Sequence, residues 1–499
     1  MTEPSMQFRR GTNTHLLKIL GLGMLTSFVF PWIGLSWLDL QQEQQMNPSP
    51  WNRNRIQSLS HLNKNNDPTL EGNSCHDIFG IHQLVRQGNC LQHQLLRWRA
   101  CEFIGPVFIN VSRMEGSRGG EPVDQVLIGR SEAEEQLRFP KGSLMVSNTT
   151  SFLPPGFVDT VDVHMKRFLQ SAVTVPTLEL LPSALPEDPS ANGITLIVRR
   201  GNYANPCMAL LTMYNVYIIL EHYCKDSIRS PLPTMILWLD GHARGDLDPV
   251  WHQLFGTQPR HIKDLDADYD EHGQHAVFGS STMAGIVALS THVIAVNTMS
   301  AIGDEGLGLY SWNTKSDSGI DCLRNSTLIH FRDFVLERYH LQRSTTPSHI
   351  VTLLVRQDYR AHPRSSGLTD RTLANVTADT AYVQSMYPHH TVRVVSFEGM
   401  PFRRQLEYVV STEIFVTVHG AGNIHVLFLP DNATLVEYVP KPFRQRKRFR
   451  YLADCLNVTY IVKPAWIEST RHSSDIGMYG KDTMRKKELI QVRLRPNKR

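Results

Sequence analysis

The chain has no CxxC pair among its seven cysteines, so the common signatures of a zinc site and of thioredoxin-like redox chemistry are missing. It has no P-loop, which counts against a sulfotransferase or a similar anion-binding enzyme. It also lacks an excess of charge. Lys and Arg number 51 against 47 Asp and Glu, a net of +4, and nothing in that balance suggests nucleic-acid binding. The basic runs are local: residues 444–450 read as a solvated loop beside an anionic ligand or substrate, and residues 481–499 as a flexible tail. Internal repeats are absent. Long apolar runs are scarce, and one stands out, at residues 19–38.

That run is uncharged and of the length that spans a bilayer. Arg9, Arg10 and Lys18 precede it, and no Lys or Arg follows until Arg53. The asymmetry predicts a cytosolic N-terminus with the rest of the chain on the far side of the membrane. The expected reading is a transmembrane signal-anchor; a signal peptide cleaved near Gly34-Leu35-Ser36 is the rival. Sequons at Asn110, Asn148, Asn325, Asn375, Asn432 and Asn457 agree with a luminal body. So does the position of every cysteine beyond the apolar run, where an oxidising lumen favours disulfides.

Residues 1–18 then form a cytosolic tail, 19–38 the anchor and 39–74 a polar stem too poor in apolar residues to fold. From residue 75 onward, strand-like and helix-like segments alternate. Ile194–Val198, 235–239 and 292–296 read as buried strands, with a helix over 210–223. A second series follows: strand Ile350–Val355, helix 369–386, strand 392–396 and helix 402–410. Alternation of this kind predicts an α/β fold of two Rossmann-like lobes, at 75–330 and 331–470, with a cleft at the carboxyl ends of the strands. Residues 331–339 are placed to bridge the lobes, and 471–499 are a basic tail.

Residues 415–439, FVTVHGAGNIHVLFLPDNATLVEYV, are the most informative stretch. They read as strand, glycine turn, short helix, proline stop at Pro430 and second strand. Gly420 and Gly422 allow a tight turn and close backbone approach, and a helix starting near Asn423 offers free N–H groups to an anion. His425 stands where a dinucleotide fingerprint has its third glycine, so that fingerprint is not matched.

HGAG, then LFLP, a small polar insert and LVEYVP resemble the C-terminal signature of glycosyltransferase family 61, nearest to its EGF-domain-specific O-GlcNAc transferase group. Phe397-Glu398, Phe402 and Gln405-Leu406 fit the helix before that signature. The 237–255 segment, with Leu237-Trp238-Leu239-Asp240 and Gly245-Asp246-Leu247, and Ala276-Val277-Phe278 fit the first lobe. The resemblance implies a GT-B-type architecture and transfer of GlcNAc or xylose, with inversion, from a UDP-sugar to a hydroxyl of a glycoprotein or glycan. It implies a Golgi type II membrane protein, with the ER as the other compartment. A divergent or inactive luminal glycan- or nucleotide-binding member is the alternative.

A nucleotide sugar needs backbone donors, a cation and a ribose partner. His419, Gly420, Ala421, Gly422 and Asn423 supply the turn. Arg356, at the end of a strand, is the first cation and Arg360 the second, and Glu437 is placed to accept ribose hydroxyls. Family members carry an Asn…His…Asp constellation on the first lobe's helix. Here Asn205 is kept, but Met208, Ala209 and Thr212 occupy the other positions and cannot take a proton. Asp240, then His242 and Asp246, are the substitute bases. The run from Asp264 to Asp270 contains DxD patterns that read as a solvated acidic loop. No metal is required, because a helix N-terminus and Arg356 can neutralise a diphosphate; Mn²⁺ is admitted as an optional addition.

Overall fold

Five-residue runs such as ITLIV and IFVTV have almost no polar position to turn outward, and both fold as strands buried along their whole length. The computed structural model describes residues 84–87, 90–93, 99–127, 129–130, 134–148, 163–176, 194–201, 203–224, 233–266, 286–289, 292–297, 326–363, 365, 367–444, 448–473 and 487–495. The expected tail, anchor and stem lie outside these residues, as do Asn325, residues 267–270 and residues 276–278. Among the described residues no helix is long and apolar enough to cross a membrane.

In chain order the strands are β1 (Leu84–Gln87), β2 (Cys90–His93), β3 (Arg99–Ile104), β4 (Val107–Asn110), β5 (Leu144–Ser147), β6 (Val173–Val175), β7 (Ile194–Val198), β8 (Pro233–Trp238) and β9 (Arg260–His261). They continue as β10 (Ile286–Ala288), β11 (His292–Asn297), β12 (Ile350–Val355), β13 (Thr372–Leu373), β14 (Thr391–Ser396), β15 (Ile414–Val418), β16 (Thr434–Pro440), β17 (Thr459–Ser473) and β18 (Lys487–Arg493). The helices are α1 (Val163–Gln170), α2 (Pro206–Cys224), α3 (Asp248–Phe255), α4 (Ile262–Asp266), α5 (Ser326–Arg338), α6 (Val376–Met386), α7 (Phe402–Val409) and α8 (Arg448–Cys455). A 3-10 helix covers Ala421–Phe428.

The first large sheet runs β1-β2-β3-β11-β7-β8-β9. Its core, β11-β7-β8-β9, is parallel, as the alternation predicts. Its β1-β2-β3 flank is antiparallel, and a second, four-stranded sheet runs β10-β4-β5-β6. The second large sheet runs β13-β18-β17-β16-β15-β12-β14, parallel from β14 through β17.

One apolar core joins the two large sheets. It combines Leu196 and Trp238 of the first, Leu354 and Phe415 of the second, and the helices between them. Helix α5 contributes Leu328, Phe331 and Val335 to that core, so the segment expected to bridge the lobes is packed rather than a loose linker. Two other cores lie on the outer faces. One sets the first sheet against the four-stranded sheet and α1, and the other sets α6 against the second sheet.

Two expectations are corrected. The helix expected over 369–386 begins at Val376, where Asn375 caps it by accepting from the Ala378 N–H; before it comes β13. Within the expected tail, residues 487–493 form β18, which pairs antiparallel with β17 and parallel with β13. Leu489 and Val492 bury their side chains there, so the second lobe extends to Arg493. Asn148, Asn375, Asn432 and Asn457 are exposed, and Asn110 is half-buried.

Candidate active site

Parallel strands place their carboxyl ends side by side, and loops leaving those ends build a common rim. β12 ends at Val355 before Arg356, β14 ends at Ser396 before Glu398, and β15 ends at Val418 before His419. These neighbouring ends wall a cavity of about 440 Å³. Its opposite wall comes from the first lobe: Tyr203 to Cys207 at the start of α2, and Asp246-Leu247 before α3.

The glycine turn forms one end of the cavity, with Gly420, Ala421 and Gly422 all lining it. Neither glycine adopts the left-handed region; Gly420 is extended, with φ 178°. Close approach is what requires them. A Cβ on Gly420 would stand 3.3 Å from Arg356 Nη1, and one on Gly422 would stand 2.9 Å from Leu354 Cδ2. The helix expected after the turn is a 3-10 helix starting at Ala421.

Glu437 holds this turn from beneath and does not line the cavity. Its side chain has no exposure. One oxygen lies 2.6 Å from His419 Nδ1 and accepts from Asn423 Nδ2 at 2.7 Å; the other accepts from the Tyr460 hydroxyl. Thr417 donates to Asn423 Oδ1 at 3.0 Å, closing the network. The expected ribose contact is therefore corrected: this carboxylate is consumed in fixing His419 and Asn423. Burial, and then the Glu437 charge, push the Tyr460 hydroxyl well above the usual phenol range, so it remains a donor. His425 follows the turn with Nδ1 2.9 Å from the Gly422 carbonyl and its ring 4.6 Å from Phe397. Burial brings it down to about 4, so it is neutral near pH 7 and donates from Nδ1.

Arg356 lines the cavity with its Nη1 buried and without a hydrogen-bond partner. Burial pulls the guanidinium downward, opposed by the charges of Glu398 and Asp370. A buried cationic N–H group facing no acceptor carries a desolvation cost that an anionic ligand would relieve. Arg360 is corrected as second cation. Its Nη2 donates to the Val126 carbonyl at 2.6 Å, and it does not line the cavity. Arg371, which no sequence motif singles out, does line it, with Nε 3.2 Å from Asp370 and the guanidinium 4.6 Å from the Phe443 ring centre.

The three candidate bases separate. Asp240 is buried, and its two oxygens accept from the Arg200 backbone N–H at 2.9 Å and from Nε and Nη2 at 3.2 and 2.7 Å. It also accepts from the His242 N–H at 3.1 Å. Burial alone would raise its carboxyl, but Arg200 and His242 outweigh that and hold it well below the usual carboxylate range. His242 is buried too, with Nδ1 3.0 Å from Glu135 and Nε2 3.1 Å from the Arg200 carbonyl. Neither lines the cavity, so both are corrected to members of a buried network that includes Asp248 and the Trp238 ring under Arg200. Asp246 does line it, is exposed, and accepts from the Tyr359 hydroxyl at 3.1 Å. Burial first, and Asp246 next, push Tyr359 up to about 12, so the phenol stays protonated.

Met208, Ala209 and Thr212 lie beside a small pocket of about 10 Å³ shared with Arg200, Tyr203 and Trp251. Thr212 turns its hydroxyl back onto the Met208 carbonyl at 3.0 Å. Glu398, accepting from the Ser396 hydroxyl, is a further carboxylate on the rim.

The glycosyltransferase 61 family model matches residues 314–436, which include Arg356 and the glycine turn. The chain is 26% identical over 394 residues to beta-1,2-xylosyltransferase RCN11 of Oryza sativa subsp. japonica, covering 74% of this chain and 68% of that protein. It is 23% identical over 412 residues to a beta-1,2-xylosyltransferase of Arabidopsis thaliana, covering 70% of each. It is 32% identical over 131 residues to the EGF domain-specific O-linked N-acetylglucosamine transferase of Drosophila melanogaster, covering 26% of this chain and 22% of that protein.

Proposed function

The chain belongs to glycosyltransferase family 61, and we propose that it transfers xylose or GlcNAc from a UDP-sugar to a hydroxyl of a glycoprotein or glycan, with inversion. The observation that carries this reading is the unpartnered Nη1 of Arg356 beside the Gly420–Gly422 turn, on one wall of the cavity. A diphosphate set there would accept from the guanidinium and from the turn's backbone, and the two glycines leave the room it needs. Names of relatives supply both sugars, and the xylosyltransferases span more of the chain.

Inverting transfer needs one base to take the acceptor's proton as its oxygen attacks the anomeric carbon. Asp246 is that base in this proposal. It stands on the wall facing Arg356's lobe, is exposed to an entering acceptor, and is oriented by Tyr359. The chain residues bind and orient the diphosphate without a required metal; Mn²⁺ added to the diphosphate is compatible with the reading. Two-lobed GT-B architecture, a Golgi type II topology with the anchor at residues 19–38, and luminal disulfides complete it.

A second reading, donor binding without transfer, draws on Met208, Ala209 and Thr212, whose side chains offer no base beside the cleft. The test is UDP-sugar turnover by the full chain against UDP-xylose and UDP-GlcNAc with candidate acceptor glycoproteins, with and without Mn²⁺. Turnover that Asp246→Asn removes supports transfer through Asp246. UDP binding without turnover supports the second reading.

A further inference from the structure

Strands β14, β12 and β15 are neighbours, so the residues that enter them meet at one edge of the sheet. His390 precedes β14, His349 precedes β12 and Glu413 precedes β15. Glu413 Oε1 lies 3.2 Å from His390 Nε2, and Oε2 lies 4.0 Å from His349 Nδ1. One donor atom from each of the three falls within 4.8 Å of the others.

The cluster is held from several sides. Glu413 Oε2 also accepts from the His349 backbone N–H at 2.9 Å. Gln384 donates to the His390 carbonyl at 2.9 Å, and the Tyr387 ring packs edge-on to the His390 ring. His349 adopts φ 51°, a left-handed conformation uncommon for a residue with a Cβ. Its side chain is 69% exposed, against 18% for His390 and 30% for Glu413, so the cluster is open to solvent on the His349 side.

We propose that His349, His390 and Glu413 bind one divalent transition-metal ion, Zn²⁺ by preference, with water completing the coordination. Two imidazoles and a carboxylate form an open zinc ligand set, whereas Mg²⁺ and Ca²⁺ take oxygen ligands throughout. Ligand atoms about 2.0–2.1 Å from a tetrahedral ion stand roughly 3.3 Å apart. The three donor atoms lie within 4.8 Å of one another, so the set must close by up to roughly 1.5 Å to reach that spacing, which rotation of the exposed His349 ring can supply.

The site lies at the amino ends of the strands whose carboxyl ends carry Arg356 and His419. A six-residue strand puts it roughly 20 Å from that cavity. The ion would therefore pin the entries of three neighbouring strands, β15, β12 and the edge strand β14, and take no part in sugar transfer. Zinc binding at this cluster does not depend on the proposed reaction, and it can be read without turnover.

The test is calorimetric titration of ZnCl₂ into the full chain stripped with a chelator, beside His349→Asn, His390→Gln and Glu413→Gln. Asparagine tolerates the left-handed backbone, and glutamine keeps an acceptor for the His349 N–H, so these variants preserve the local fold. The expected result is a zinc site whose affinity falls at least about tenfold in each variant, with a zinc-dependent rise in Tm that the variants lose. Co²⁺ bound in place of Zn²⁺ should give a tetrahedral visible band that His390→Gln removes. Zinc affinity unchanged in His349→Asn and His390→Gln would overturn the proposal, because the ion would then sit among other histidines. Absence of binding to the wild-type chain would also overturn it, leaving an ordinary His390–Glu413 ion pair.

Discussion

The Tyr359 hydroxyl donates a 3.1 Å hydrogen bond to Asp246 Oδ1, joining the loop after β12 to the loop before α3 at the mouth of the cavity. The bond links an exposed carboxylate of the first lobe to the lobe that carries Arg356 and the glycine turn. Asp246→Asn should lower kcat by about 10²–10⁴-fold with little change in donor KM, the range for loss of a general base. Tyr359→Phe should cost less, because it removes the orienting bond and leaves the base. Steady-state transfer kinetics check both.

Arg356→Ala should weaken UDP binding by about 1–3 kcal/mol, roughly five- to 150-fold in Kd, the scale of a charge-assisted hydrogen bond. Arg360→Ala should leave UDP affinity nearly unchanged, since its Nη2 is engaged by the Val126 carbonyl away from the cavity. Calorimetric titration with UDP separates the two.

Gly422→Val puts a Cβ where 2.9 Å separates it from Leu354 Cδ2, and Gly420→Val does so 3.3 Å from Arg356 Nη1. Both should abolish measurable UDP binding. Gly420→Val should retain more thermal stability, because the tip of an arginine moves more readily than a buried leucine. Binding and melting curves on the same samples check the order.

Glu437→Ala removes the shared acceptor of His419, Asn423 and Tyr460. Leaving these buried groups unpaired should cost about 2–5 kcal/mol of stability and raise donor KM as the turn loosens. Denaturant unfolding and donor titration report the two effects.

Acidification should weaken the fold before the acidic groups titrate. His425 is brought from 6.5 down to about 4 by burial, and His261 to about 3. Between those values and 6.5 the unfolded chain binds more protons than the folded one, so stability is full above about 6.5 and falls as pH drops toward 4. His425→Phe should flatten part of that slope in a Tm series across pH. Asp240 has the same sign at lower pH: its carboxyl is held below its usual value, so its contribution is present above that value and lost on further acidification.

The apolar strand runs and the glycine turn were legible because a strand buried on both faces leaves a continuous hydrophobic signal that needs no partner to be read. Asp240 and Asp246 show where such reading stops. They sit six positions apart on one loop, and what divides them is Arg200, which lies 40 positions from Asp240 in the chain. Glu437 is consumed by residues on β16's neighbours and the turn, and Tyr359 acquires its role from a residue 113 positions away. Arg371 carries no local signal at all. β18 was hidden by its basic surroundings, although Leu489 and Val492 are buried within it.

Transfer through Asp246 at a UDP-sugar site is tested most sharply by turnover and UDP binding measured together on the full chain and on Asp246→Asn. The wild type should transfer from a UDP-sugar, and the variant should bind UDP with near wild-type affinity but transfer at least about 10²-fold more slowly. A variant that transfers as fast as the wild type would contradict the assignment of Asp246, and a wild-type chain that does not bind UDP would contradict the donor site itself.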